Sequence, residues 1–393
     1  MTKIKTITFL KAFLGENSLP PIYSKVTDGN GVDYNINVKS NFGLKDQVLI
    51  VKDIPDYLNI HINKQLTNFV VNRITTLKGH FIELHSFKNI ADYLKSNFGT
   101  KSRSNLRRYQ NRLETCFNIK YIVYYGSIEK QEYNRLFITL KDLLIRRFKE
   151  KKEANYELQH LEEFQDVVYD LILNKKANLF VIYDGNKPIS IRINMHKKAL
   201  SFYILSGFDI DYSKFHLGTL DMLKNIEWCI DNDFEIYDLL KGYDYYKKKW
   251  ATKTHYYYNH IIYNSNSINL SLIGKSRTIK ENIKYKCYNV FKKYYLDTKY
   301  KEFKKSIYRV KNTFTKKEKL FKISDFDSKI SNELIKIDIE KDGAYAFLRK
   351  PVYDFLFINN ESTNNVTVSK FVEAPNRFQI KSKTKYKLLE VIN

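Results

Sequence analysis

The sequence predicts an α/β protein of two or three units, and three observations carry that prediction. A chain of 393 residues with 43% hydrophobic content can bury a sizeable core and is long for a single domain. From about residue 118, alternating apolar runs and runs with helical spacing succeed one another in a regular order. Between three of the alternating runs lie turns too short to join parallel neighbours, so those three form an antiparallel meander.

Taken in order, residues 1–117 mix strand-like runs, "DQVLIVKDI" and "RITTLKGHFIELHSF", with the turn signal "DGNG". They end in a helix, "SRSNLRRYQNRLETCF", and read as a small α/β unit. "IKYIVYYG" is then a strand. Leu136, Leu140, Leu143, Leu144 and Phe148 recur at three and four, as do Leu161, Phe164, Val168, Leu171 and Ile172, which predicts two helices. "NLFVIY", "ISIRINM" and "LSFYILSGF" are the meander, joined by "DGNKP" and "HKKA". "LGTLDMLKNIEWCIDND" is a helix opened by Gly218 and Thr219, "FEIYDLL" a strand, and "HYYYNHIIY" a last strand after a crowded loop. This second unit spans 118–265. Residues 266–320 form a basic helical segment, in which Ile279, Ile283, Cys287, Val290 and Tyr294 share one spacing and Phe303, Ile307, Val310 and Phe314 another. Residues 321–393 read as strand-rich, in "AYAFLRK", "YDFLFIN", "NVTVSKFV", "NRFQIKS" and "YKLLEVI".

Composition narrows the function classes. No run approaches the 18 or so apolar residues of a membrane span, and Lys11 interrupts the apolar start, so no signal peptide is read. Cys116, Cys229 and Cys287 lie far apart without paired spacing, which points to buried small hydrophobes in a reduced, cytoplasmic setting and to no zinc site. The net charge of +24 would ordinarily indicate nucleic acid, an anionic membrane or a phosphorylated ligand. Only 13 of the 67 basic residues are Arg, however, and the chain is also heavy in Tyr, Asn and Ile. That profile is the bias of an AT-rich genome, so lysine excess alone says little.

The stretch "YDLLKGYDYYKKKWA" crowds tyrosines, lysines and a tryptophan behind a strand, more aromatics than a linker would carry. With "KSRSNLRRYQNRLE" and "YSKFHLGTL", it resembles the GNAT acyltransferase fold, in the branch of CelD-type proteins of exopolysaccharide biosynthesis, which is similar in turn to the Fem peptidyltransferases. The signature positions are Asp238, Gly242, Tyr246, Lys247 and Trp250. The resemblance covers roughly residues 100–265. It implies a complete GNAT domain at 118–265, a degenerate GNAT-like half before it, and helical and β-rich extensions after it. It also implies an acyl-CoA donor between two splayed strands, 199–207 and 234–240, with the pyrophosphate at the start of the helix between them. A helix start suits an anion because of its unpaired N–H groups and positive dipole end. The usual Gln or Arg followed by a doubled glycine pattern is absent, and "HLG", His216, Leu217 and Gly218, stands where the branch has Ser-Pro-Gly. The donor is therefore acyl-CoA, acetyl-CoA first, another acyl carrier, or an aminoacyl-tRNA as in Fem enzymes.

Acyl transfer to an amine needs a neutral nucleophile, a stabilised oxyanion and a proton for the leaving group. The resemblance assigns the second or third role to Lys247, whose plain alternative is a solvated lysine in a row of three. Asp238 would accept the amine proton or orient Lys247, or else tie the following loop through its backbone. Tyr246 would protonate the leaving group, or pack. Trp250 and Gly242 are structural. His216 would serve as base or phosphate contact, and Ser213 and Thr219 as hydroxyl donors to the pyrophosphate or as helix caps. Arg103 and Arg107 lie on one flank of the stripe of Leu106, Tyr109 and Leu113, with Arg108 and Arg112 on the other. One pair, taken as Arg103 and Arg107, would face a phosphate-bearing ligand.

The expected protein is thus a cytoplasmic acyltransferase, free or peripheral at the inner membrane, that moves an acetyl group to an amine of a sugar or surface-polymer precursor. Neither a metal nor a permanently bound cofactor is expected. The rivals are a Fem-like transferase using aminoacyl-tRNA and a catalytically inactive scaffold. Residues 271–320 hold 16 Lys or Arg against four acids, and they offer a surface for an anionic membrane, a grip on tRNA, or an ordinary extension; no DNA partner is expected.

Overall fold

The structure, a computed structural model, describes residues 3–16, 18–34, 36–38, 44–151, 158–241, 245–294, 320–325, 333–383 and 385–392. Its centre is a nine-stranded sheet. The strands are β1 (Lys3–Thr8), β2 (Gln47–Pro55), β3 (Phe69–Glu83), β4 (Ile119–Tyr124), β5 (Ala177–Asp184), β6 (Lys187–Lys197), β7 (Leu200–Phe208), β8 (Ile236–Lys241) and β9 (Lys253–Asn264). Across the sheet they run β1-β2-β9-β3-β8-β7-β6-β5-β4. The meander is as expected: β5, β6 and β7 pair antiparallel, with Gly185 and Lys198 at positive φ in the two turns.

The main helices are α1 (Ile90–Asn97), α2 (Thr100–Cys116), α3 (Lys130–Lys151), α4 (Leu161–Leu173), α5 (Leu217–Asp231), α6 (Tyr245–Trp250), α7 (Ile268–Lys293) and α8 (Arg349–Asn359). Strand alternation sends Leu179 and Val181 to one face, against α3 and α4, and Phe180 and Ile182 to the other, against α2, α5 and α8. The same alternation in β2 places Leu49 and Val51 with the first face and Val48 and Ile50 under α7. One sheet therefore serves both halves of the chain, since β3 from the first half lies between β8 and β9 from the second.

Several expectations are corrected. "AYAFLRK" and "YDFLFIN" are helical, a 3-10 turn at Gly343–Leu348 followed by α8. Short apolar runs do not distinguish strand from buried helix, and here Val352, Phe355 and Leu356 face one side at helical spacing. The other three C-terminal runs are strands as read, β12 (Thr367–Phe371), β13 (Arg377–Lys381) and β14 (Tyr386–Ile392), in a five-stranded sheet with β10 (Leu320–Asp325) and β11 (Leu334–Ile337). The lysine row sits on the short helix α6, not in a loop, where Tyr246 and Trp250 meet edge to face one turn apart and Trp250 is buried. Cys116 and Cys229 are buried, but Cys287 is exposed. Gly242 and the stripe of Phe303, Ile307, Val310 and Phe314 lie outside the described residues.

His196 shows how the core couples to pH. Its ring lies among Tyr125, Trp228 and Phe234, neither ring nitrogen has a hydrogen-bond partner among the described residues, and burial lowers its pKa to about 3. The unfolded chain takes up a proton near pH 6.5 that the folded chain refuses, so stability present above that pH is lost as pH falls toward 3. Between pH 7 and pH 4 this one group is expected to cost about 3 kcal/mol. Urea midpoints measured across that range should fall, and His196→Phe should flatten the slope; identical slopes would refute the assignment.

Candidate active site

Parallel strands β7 and β8 are aligned only over Leu200↔Ile236, Ser201↔Tyr237 and Phe202↔Asp238. Beyond Phe202 the strands part: β7 continues along β6 to Phe208, while β8 follows β3 through an irregularity between Asp238 and Lys241. Asp238 fixes that irregularity. Its fully buried carboxylate accepts the Leu240 N–H at 2.7 Å, with Leu240 at φ 64°, and the hydroxyls of Tyr57 at 2.6 Å and Tyr257 at 3.3 Å. From Tyr203 onward, β7 consequently has no strand partner on the β8 side among the described residues.

Under this opening lies α5. His216 is its N-cap residue in left-handed conformation and supplies no side-chain cap, while its carbonyl already accepts the Thr219 and Leu220 N–H groups, which leaves the Leu217 and Gly218 N–H groups as the ones the helix itself does not satisfy. The His216 ring lies against Tyr109 of α2, with centroids 4.0 Å apart, and partial burial together with Lys249 and Arg108 lowers its pKa. Arg108 and Lys249 thus add positive potential at His216, beside a helix start without a side-chain cap, and such a start favours a phosphate.

The walls of the opening are also cationic. Arg192 of β6 lies 4.1 Å from the centre of the Tyr203 ring, and Lys247 of α6 lies 5.8 Å from it. The Tyr203 hydroxyl meets Ser206 Oγ at 2.8 Å, and Arg147 of α3 donates to the Ser206 carbonyl at 3.1 Å. Arg192 is held from below. Its Nε donates to Asp221 Oδ2 at 2.7 Å and its Nη1 to the Tyr237 hydroxyl at 3.0 Å, and Tyr237 in turn donates to Asn194 at 2.8 Å.

Residues 100–248 match the model of the acetyltransferase (GNAT) domain. That segment carries the GNAT fold, and the chain is an acyltransferase. No curated protein matches the chain. Among solved structures, FemX is similar over 58% of this chain and 75% of its own, at 11% identity and a TM-score of 0.41. L-PGS from Bacillus licheniformis is similar over 59% and 73%, at 13% identity and 0.37. A GCN5-related N-acetyltransferase from Kribbella flavida is similar over 55% and 68%, at 9% identity and 0.29. These likenesses are too slight to bear on substrate.

In this acyltransferase the residues singled out from the sequence fall into two groups. Lys247 reaches the opening, where its Nζ also donates to the Lys241 carbonyl at 3.2 Å. Tyr246 stands beside it, but its hydroxyl donates to the Gly218 carbonyl and ties α6 to the start of α5. Asp238 belongs to the other face of the sheet, among Tyr57, Tyr257 and His255. Gly218 is required by packing: a Cβ there would come within 2.8 Å of the Phe208 ring. Leu217 is buried, Thr219 donates its N–H to the His216 carbonyl, and the Ser213 carbonyl accepts the His216 N–H. Neither hydroxyl caps the helix.

On α2, Arg103 donates to Thr100 at 3.4 Å and Arg107 is exposed. The arginine beside His216 is Arg108, from the other flank, while Arg112 lies on the Phe357 ring. Tyr203, Ser206, Arg147 and the Arg192–Asp221 pair escaped the sequence reading. One signal was available: a lone Arg in the apolar meander strand "ISIRINM" requires a buried acid, and Asp221 interrupts the apolar face of "LGTLDML".

Proposed function

We propose that the chain transfers an acyl group, acetyl first, from acyl-CoA to an amine of a sugar or surface-polymer precursor. The parting of β7 and β8 above the uncapped start of α5 is the observation that carries this reading. The free edge of β7 suits an extended, amide-bearing arm, because such a chain can bond to unpaired strand groups as another strand would. The helix start, with Arg108 and Lys249 beside it, suits the pyrophosphate at the other end of the donor.

In the proposed reaction the neutral amine attacks the thioester carbonyl, the C–N bond forms, and the C–S bond breaks. The amine loses one proton and the departing sulfur gains one. Lys247 supplies positive charge to the oxyanion, and Arg192 holds Tyr203 from beneath. In this reading the Tyr203 hydroxyl, backed by Ser206 Oγ at 2.8 Å, gives the sulfur its proton. Tyr246 keeps α6, and so Lys247, in register with α5. Asp238 shapes the opening through the backbone of Leu240.

The test begins with the donor. Acetyl-CoA at one hundred times its Kd should stabilise the protein by about 2.7 kcal/mol, read as a rise in Tm, with free CoA doing nearly as well. No shift at millimolar concentration would remove the CoA reading and favour an aminoacyl-tRNA donor, for which binding should fall steeply with salt. With a donor and acceptor in hand, Lys247→Ala should lower kcat by about 10²–10³ while leaving the donor's thermal shift intact. Full turnover in that variant would end the role given to Lys247.

A further inference from the structure

Helix α7 carries two apolar patterns, and the sequence stripe is not the one that packs. At 100° per residue, Leu270, Gly274, Glu281 and Tyr285 fall on one side. That side rests on β9, β3 and β2, where a Cβ at Gly274 would lie within 2.1 Å of the Tyr263 ring. On the opposite side Leu272, Ile279, Ile283 and Val290 form a straight row, 63%, 60%, 56% and 52% exposed, extended by Ile268 and Tyr294 at its ends. A helix from Ile268 to Lys293 carries this row for about 39 Å.

Charge accompanies the row along both borders. Lys275 and Lys286 lie on one edge and Lys280 on the other, all exposed. The single carboxylate of α7, Glu281, is buried beneath the helix and engaged by Arg277 at 3.1 Å and Lys284 at 3.7 Å. No helix among the described residues is long and apolar enough to cross a membrane. A second copy of the chain would set lysine against lysine across the row. An RNA would find phosphate partners at the edges but nothing for aliphatic side chains in the middle, where recognition of bases calls for aromatic stacking.

We propose that α7 lies flat on the surface of an anionic membrane, its aliphatic row at the boundary of headgroups and acyl chains and its lysines on the headgroups. The inference is independent of the acyl donor. Purified full-length protein is floated with phosphatidylcholine vesicles, with or without about one third phosphatidylglycerol. Wild type should float with the anionic vesicles only, and the triple variant Leu272→Gln, Ile279→Gln, Ile283→Gln should bind at least about tenfold less with an unchanged melting curve. Absence of wild-type flotation, including a case in which only tRNA binds, would overturn the proposal. So would undiminished flotation of the variant, which would assign binding to lysine charge alone, or a lowered Tm, which would place the row in packing.

Discussion

Asp221→Ala is expected to cost about 3–5 kcal/mol, the usual consequence of leaving a buried partner charge uncompensated. Arg192 and Asp221 are 1% and 0% exposed, and the guanidinium cannot escape by losing its proton. Burial itself raises the Asp221 pKa, opposed chiefly by Arg192, so each charge is tolerable only because of the other. The damage would not stop at the pair. Arg192 also donates to Tyr237, which reaches Asn194, and Asn194 donates to Asn178 and Asn225. That chain of side chains joins β5, β6 and β8 to α5 below the point where β7 and β8 part.

Urea unfolding with an activity assay separates stability from positioning. Asp221→Asn, which can still accept a hydrogen bond from Arg192, should lose less than the alanine variant. The double variant Arg192→Met with Asp221→Leu should recover most of the stability, as apolar replacement of a buried pair commonly does. It should nonetheless lose kcat, because nothing would then support the Tyr203 ring from beneath. A double variant with wild-type turnover would reduce the network to a packing feature.

The contrast between this network and the rest of the site shows what a single sequence reveals. Apart from the short helix α6, expected as a loop, the order of strands and helices from residue 119 to 264 was legible because apolar spacing reports directly which side of an element meets the core. The parting of the strands was legible only through the resemblance, and it begins beyond the Phe202↔Asp238 pair, within the predicted strands. Arg108 was not legible: periodicity placed it on one of two equivalent flanks, and only the packing of Tyr109 on His216 decides which flank meets α5. Tyr203 was hidden among 31 tyrosines. Part of the exposed row on α7, Ile279, Ile283, Val290 and Tyr294, was read as a stripe, but its direction depends on Gly274 and Tyr263, whose close approach settles the helix with Gly274 inward.

The fragment 100–393, which keeps the whole segment matched to the acetyltransferase domain, is expected not to fold. Strand β3, from residues 69–83, fills the position between β8 and β9 and pairs with β9 from Phe81↔Lys253 to Phe69↔Asn264. Without it both strands would present unpaired backbone to water, a recognised template for aggregation. The first half also supplies side chains. Thr76 donates to the Tyr257 carbonyl at 3.1 Å, the Glu83 N–H donates to Thr252 Oγ1 at 2.8 Å, and Tyr57 holds the Asp238 carboxylate that shapes the opening. Removing residues 1–99 would uncover Tyr257, Ile261 and Ile262, now fully buried, at roughly 1.5–3 kcal/mol each. Expressed alone, the fragment should be insoluble or melt without a cooperative transition, and coexpression with residues 1–99 should restore both solubility and the acetyl-CoA shift. A fragment that unfolded cooperatively and still bound the donor would mean that the second half closes its own sheet, and that β3 is an addition to the catalytic unit instead of part of it.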